Sequence, residues 1–113
     1  MPVDKAGWYG VRCLFRWSQE VGRPYEESIT VWRAASFDDA IAKAESEACE
    51  RAALLGGEYL GLAQAYLIGD EPPGDGAEVF SLIRESAFEP DAYLTRFFDT
   101  GDERQGETAS TDS

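Results

Sequence analysis

Two arginines in the first strand-like segment are the residues best placed to do chemistry. In the run Trp8-Tyr9-Gly10-Val11-Arg12-Cys13-Leu14-Phe15-Arg16-Trp17, Arg12 and Arg16 share one parity with Trp8 and Leu14. Alternate residues of a strand lie on one face, so two guanidinium groups and an indole are expected together. Trp32 and Glu26, on the even parity of the next segment, are expected to join them, and Arg84 to reach the same surface from a later one. One reading is a solvent face laced with arginine–glutamate cross-strand pairs. The other is a recognition surface, because tryptophan and arginine are enriched at binding hot spots and a guanidinium suits a carboxylate or phosphate.

Other chemistry finds little support in the residues. The chain has no histidine, the usual general base and metal ligand near neutral pH. Zinc would have to use Cys13, Cys49 and carboxylates, and the two cysteines lack paired ligand spacing. Asp70, Glu71, Asp75 and Glu78 crowd one loop, but without the alternating ligand register of an EF-hand. The glycines of that loop lack the lysine and following helix of a phosphate-binding loop. Glu26 and Glu27 are strand neighbours that point to opposite faces and cannot share a proton. Asp38 and Asp39 are explained by a helix start, and no serine or cysteine has an identifiable base beside it. No catalytic residue, cofactor or metal is therefore expected.

Composition narrows the classes further. The 113 residues hold 22 acidic against 10 basic side chains, for a net charge of −12, with 43% hydrophobic content. That describes one globular domain, and one ill-suited to DNA or RNA, whose phosphates demand a basic surface. No run approaches the roughly 18 apolar residues of a membrane span. The opening Met-Pro-Val-Asp-Lys-Ala-Gly lacks a signal peptide's pattern. Two cysteines are too few for a disulfide framework, and both read as small buried or half-buried hydrophobes. A cytoplasmic location follows as an expectation.

The elements that must position these residues are legible in the periodicity. Residues 8–17 alternate as a strand with Tyr9, Val11, Cys13, Phe15 and Trp17 buried. Gly22 and Pro24 turn the chain, and residues 25–34 return as the second strand of a hairpin. Ser36 caps a helix whose apolar stripe is Phe37, Ile41, Ala44, Ala48, Ala52 and Leu55, and Gly56-Gly57 ends it. Residues 58–68 read as an interior strand, 69–76 as a loop, and 77–85 as a fourth strand pairing with the third. Pro90 opens a short closing helix through Phe98. Residues 1–7 are expected to be a flexible start, 8–101 a single domain, and 102–113 a disordered acidic tail. The expected fold is α+β: β-β-α-β-β-α, a four-stranded antiparallel sheet in the order 2-1-3-4 with the long helix on one face.

Several segments resemble a small bacterial family, the domain of unknown function 4288. They are Trp-Tyr-Gly-Val-Arg from residue 8, Tyr25-Glu26-Glu27, and Ala34-Ala35-Ser36-Phe37-Asp38-Asp39-Ala40-Ile41. Glu58-Tyr59-Leu60-Gly61, Glu78-Val79-Phe80-Ser81-Leu82-Ile83-Arg84 and Tyr93-Leu94 follow in the same order. The resemblance spans residues 8 to 100 or so and implies a small stand-alone bacterial protein. It brings no activity, cofactor or site.

Three functional classes follow. The leading one is a non-catalytic interaction protein that uses its outer sheet face to self-associate or to hold another protein. Its net charge favours a basic partner, as in an immunity-like or antitoxin-like protein. The second is a binder of small anionic ligands, or an enzyme, with Tyr93, Phe97 and Phe98 walling a pocket against the sheet. The third is a structural homodimer that buries Trp8, Leu14 and Trp32 across a two-fold axis.

Overall fold

Ser36 starts the longest element because its side chain can take an N–H that a helix leaves unpaired. In the computed structural model, which describes residues 6–103, its Oγ accepts from the Asp39 N–H at 3.0 Å. The Asp39 carboxylate accepts in turn from the Ala35 N–H at 2.9 Å, and Asp38 and Asp39 place negative charge at the positive end of the helix dipole. The helix α1 (Phe37–Leu55) stops at Gly56, whose left-handed φ of 77° disfavours any residue with a Cβ. Gly57 completes the stop by donating to the Ala52 carbonyl.

The buried face of α1 is Ala40, Ala44, Ala48 and Ala52. This corrects the expected stripe by a rotation: Phe37 and Leu55 are exposed and Ile41 is half-buried. A strict four-residue repeat of alanine gives the helix its smoothest ridge, so that ridge turns toward the bulky sheet residues.

Three strands receive it. They are β1 (Gly7–Arg16), β2 (Tyr25–Ala34) and β3 (Glu58–Gly69), all antiparallel, in the order β2-β1-β3. As the central strand, β1 is paired along both edges. Its odd residues Tyr9, Val11, Cys13 and Phe15 are buried under α1 with Trp17 just beyond, and the core consists of these and the four alanines with Ala34. Phe15 and Trp17 stack with centroids 5.2 Å apart, and Tyr59 tilts against Phe15 at 5.8 Å.

The expected four-stranded sheet is not formed. Among the described residues the sheet has three strands, and residues 77–85 make no ladder. Apolar content makes a segment compatible with a strand, but a strand exists only where its N–H and C=O groups meet those of a neighbour. The closing helix keeps its expected bounds, Pro90 to Phe98. It is one short turn, α2 (Pro90–Tyr93), followed by a π-helical turn over Leu94–Phe98 that the Asp99 N–H closes on the Leu94 carbonyl at 2.7 Å. The chain divides into two compact units, one up to Ser81 and one from Leu82 onward. Residues 1–5 of the expected flexible start and 104–113 of the expected tail lie outside the described residues. No helix among the described residues is long and apolar enough to cross a membrane.

Candidate interaction face

The hairpin register decides which side chains share the sheet face opposite α1. Arg16 pairs with Tyr25, Leu14 with Glu27, Arg12 with Ile29, Gly10 with Val31 and Trp8 with Arg33. Directly opposed residues of an antiparallel pair point the same way. The even residues of β1 therefore meet the odd residues of β2. On the far side of β1, Arg12 opposes Gln64 and Gly10 opposes Tyr66.

This separates the expected constellation. Trp8, Arg12, Leu14 and Arg16 do share the open face. Trp32 and Glu26 do not, because they oppose Tyr9 and Phe15 on the side of α1. Glu26 accepts from the Trp17 indole N–H at 2.8 Å. Trp32 packs against the core and lines an open groove along α1 with Lys43, Ser46, Glu47 and Glu50. Arg84 belongs to the C-terminal unit, where it donates to the Tyr93 hydroxyl at 2.9 Å and sits 4.4 Å from the centre of the Phe97 ring. Tyr93, Phe97 and Phe98 are residues of that unit too, and Tyr93 and Phe97 pack on each other at 4.9 Å.

Sequence reasoning missed Tyr25, Glu27, Ile29, Val31, Leu62 and Tyr66 as members of the face. The signal was available in the turn. If it runs from Trp17 to Pro24, Arg16 must face Tyr25, and every later pair follows.

The arginines of the face are engaged. Arg12 donates from Nε and Nη2 to one Glu27 carboxylate oxygen, the Nε bond being 3.1 Å, and from Nη1 to Gln64 at 3.2 Å. It thereby ties all three strands together. Arg16 donates from Nε to the Arg23 carbonyl at 2.7 Å and from Nη1 to the Tyr25 hydroxyl at 2.6 Å, with its guanidinium 4.3 Å over the Tyr25 ring. It thus holds the hairpin turn, where Arg23 itself has a positive φ of 47°. Around these polar groups lie exposed Ile29, Val31 and Leu62 and half-buried Leu14. A shallow depression of about 150 Å³ runs between Arg12, Leu14, Glu27, Leu62 and Gln64.

Tyr66 closes one end of the face. Its ring lies over Gly10, so close that a Cβ at residue 10 would stand 2.5 Å from it. Phe80 packs against the same ring, tilted, at 4.9 Å between centroids. The Tyr66 hydroxyl is buried without a hydrogen-bond partner. Burial raises its pKa above the usual tyrosine value, and the charge of Arg12 opposes that rise.

A second titratable cluster lies beneath the sheet. Tyr59 donates its hydroxyl to Glu45 of α1. Burial and that hydrogen bond both push the phenol well above the ordinary range. Burial likewise raises the thiol of Cys13, while a hydrogen bond with Tyr59 lowers it. Arg51 rests 4.6 Å over the Phe15 ring and pairs with Glu47 at 3.2 Å. A thiol held in its protonated form is a poor nucleophile. No group of three or more potential metal ligands occurs among the described residues.

Comparison with protein-family models, with curated proteins and with solved structures finds no match for this chain.

Proposed function

We propose that this protein is a non-catalytic interaction module that holds a protein partner on the sheet face opposite α1. The observation that carries this reading is the make-up of that face. Exposed Ile29, Val31 and Leu62 surround the Arg12–Glu27 pair, with Trp8, Tyr25 and Arg33 at its margins. Exposed apolar side chains beside a pre-oriented arginine make a surface of the kind that protein partners cover, since arginine and aromatic side chains are enriched in interfaces. A sheet with one uncovered apolar face gains about 25 cal/mol for each Å² of that face removed from water.

The net charge of −12 favours a basic partner, through faster encounter and a complementary field. An immunity-like or antitoxin-like role, in which a small acidic domain blocks a basic protein, is the specific form of this reading. Recognition of a free small anion is less well supported, because Glu27 and Gln64 occupy Arg12 and the hairpin turn occupies Arg16.

The test is affinity capture from cell extract with the full chain and with its Ile29→Glu/Leu62→Glu variant. Basic proteins retained by the first and lost by the second support the reading. An identical set on both removes it.

A further inference from the structure

The ladder between β1 and β2 fixes which backbone groups lie on the outer edge of β2. The Trp17 N–H donates to the Pro24 carbonyl at 2.9 Å, in register with the pairs that follow. Hydrogen-bonded and non-hydrogen-bonded pairs alternate along an antiparallel ladder. Glu26, Ser28, Thr30 and Trp32 therefore direct their N–H and C=O groups at β1, while Glu27, Ile29, Val31 and Arg33 turn theirs outward. Lys43 of α1 meets the outward Arg33 carbonyl at 2.7 Å, in agreement with that phase. β2 has β1 as its one neighbour in the sheet, so the outward groups of Ile29 and Val31 have no partner among the described residues. Natural edge strands are guarded by charge, proline or bulges. Residues 28–32 carry no charge or proline, and their pairing with β1 has no register shift.

Beside that edge, on the side of α1, lies an open groove of about 450 Å³. Trp32 lines it, with its indole N–H already given to the Thr30 hydroxyl at 2.7 Å. What the ring still offers is its π face. Phe37 meets Tyr9 and Arg51 meets Phe15, so α1 runs antiparallel to β2. Lys43 thus stands near Arg33, and Glu47 and Glu50 follow roughly 6 and 10 Å further along the groove. The helix cations are engaged, Lys43 by Asp39 and Arg51 by Glu47. Glu50 has no ion-pair partner among the described residues.

We propose that the groove between the outer edge of β2 and α1 binds an extended basic segment of a protein partner, paired with Ile29 and Val31 and seating a lysine or arginine between Trp32 and Glu50. This does not rest on the sheet-face reading, since it uses an edge and the opposite side of the sheet. The chemistry selects the occupant. Unpaired N–H and C=O groups on a strand edge are met by the backbone of an extended chain. Alternate side chains of that chain point toward α1, where a tryptophan face and a free carboxylate suit a cation. α1 carries five acids against two bases and the chain a net charge of −12, so an acidic segment would be repelled.

The test is titration of the full chain with an octapeptide alternating arginine and threonine, read by calorimetry and by amide hydrogen exchange. Exchange at Ile29 and Val31 should slow by roughly tenfold or more at saturation. The fully N-methylated peptide keeps the charges and loses every backbone donor, and should bind roughly tenfold or more weakly. Glu50→Lys should weaken the unmodified peptide by a similar factor. No binding up to about 1 mM peptide overturns the proposal. So does equal binding of the N-methylated peptide, which marks a charge attraction without strand pairing. Undiminished binding to Glu50→Lys, or slowed exchange confined to β3, overturns it as well. If the variant does not fold, the N-methylated peptide and the exchange at Ile29 and Val31 decide.

Discussion

Arg12 and Glu27 face each other across β1 and β2, with two guanidinium donors on one carboxylate oxygen and the third arm of the fork on Gln64 of β3. Both side chains are part-exposed, so the pair contributes little to stability. Exposed pairs contribute about 0–1 kcal/mol. Its effect is orientation, since it holds a flat polar group level with Leu14 and Leu62. Arg12→Ala is expected to change the urea unfolding free energy by less than about 1 kcal/mol. It should weaken a partner captured on this face by roughly tenfold or more. Calorimetric titration beside urea unfolding separates the two effects.

The Tyr66 hydroxyl is buried with no partner, and such a group costs about 1–3 kcal/mol. Tyr66→Phe keeps the ring over Gly10 and against Phe80. It is expected to stabilise the protein by about 1 kcal/mol in urea unfolding. A loss of stability would show that the hydroxyl is bonded.

Tyr59 and Tyr66 both have raised pKa values, through burial first and, for Tyr59, through donation to Glu45 as well. A group whose folded pKa exceeds its unfolded value contributes stability that is complete below the unfolded pKa and lost as pH rises above it. Stability should therefore hold to about pH 10 and fall beyond it. The Tyr59→Phe/Tyr66→Phe variant should show a shallower alkaline decline, by urea unfolding at about pH 8 and about pH 11.

Cys13 is buried with a raised thiol pKa, whereas Cys49 is exposed on α1. A disulfide-exchange reagent should modify Cys49 quickly in the native protein and Cys13 only after unfolding in urea. Equal rates for the two thiols in the native state would contradict the packing around Tyr59.

Much of the architecture was legible because it follows local rules. The parity of residues 8–17, the cap at Ser36 and the stop at Gly56 each read directly as structure. The helix stripe was read by hydrophobicity and came out rotated, because close approach to a crowded sheet favours alanine over Phe37 and Leu55. The site was half legible. Parity groups Trp8, Arg12, Leu14 and Arg16 on one strand, but joining two strands needs their register. A one-residue shift moves every side chain to the other face, as it did for Trp32 and Glu26. The fourth strand failed for a different reason. Val79, Phe80, Leu82 and Ile83 describe what residues 77–85 suit, while a ladder depends on which edge is within reach.

The close fit of α1 has its own consequence. Ala44 and Ala48 are almost wholly buried against the strands, so Ala44→Leu or Ala48→Leu inserts volume where none is free. Each is expected to destabilise by about 1–3 kcal/mol in urea unfolding.

The most direct test of the sheet-face reading needs no identified partner. Hydroxyl-radical footprinting of the full chain, in buffer and in concentrated cell extract, reads side-chain access on both faces at once. Oxidation of Leu14, Tyr25, Ile29 and Leu62 should fall in extract, while that of Leu54 and Leu55 at the end of α1 stays unchanged. Equal oxidation of the open face in buffer and extract, or protection confined to α1, would contradict the account.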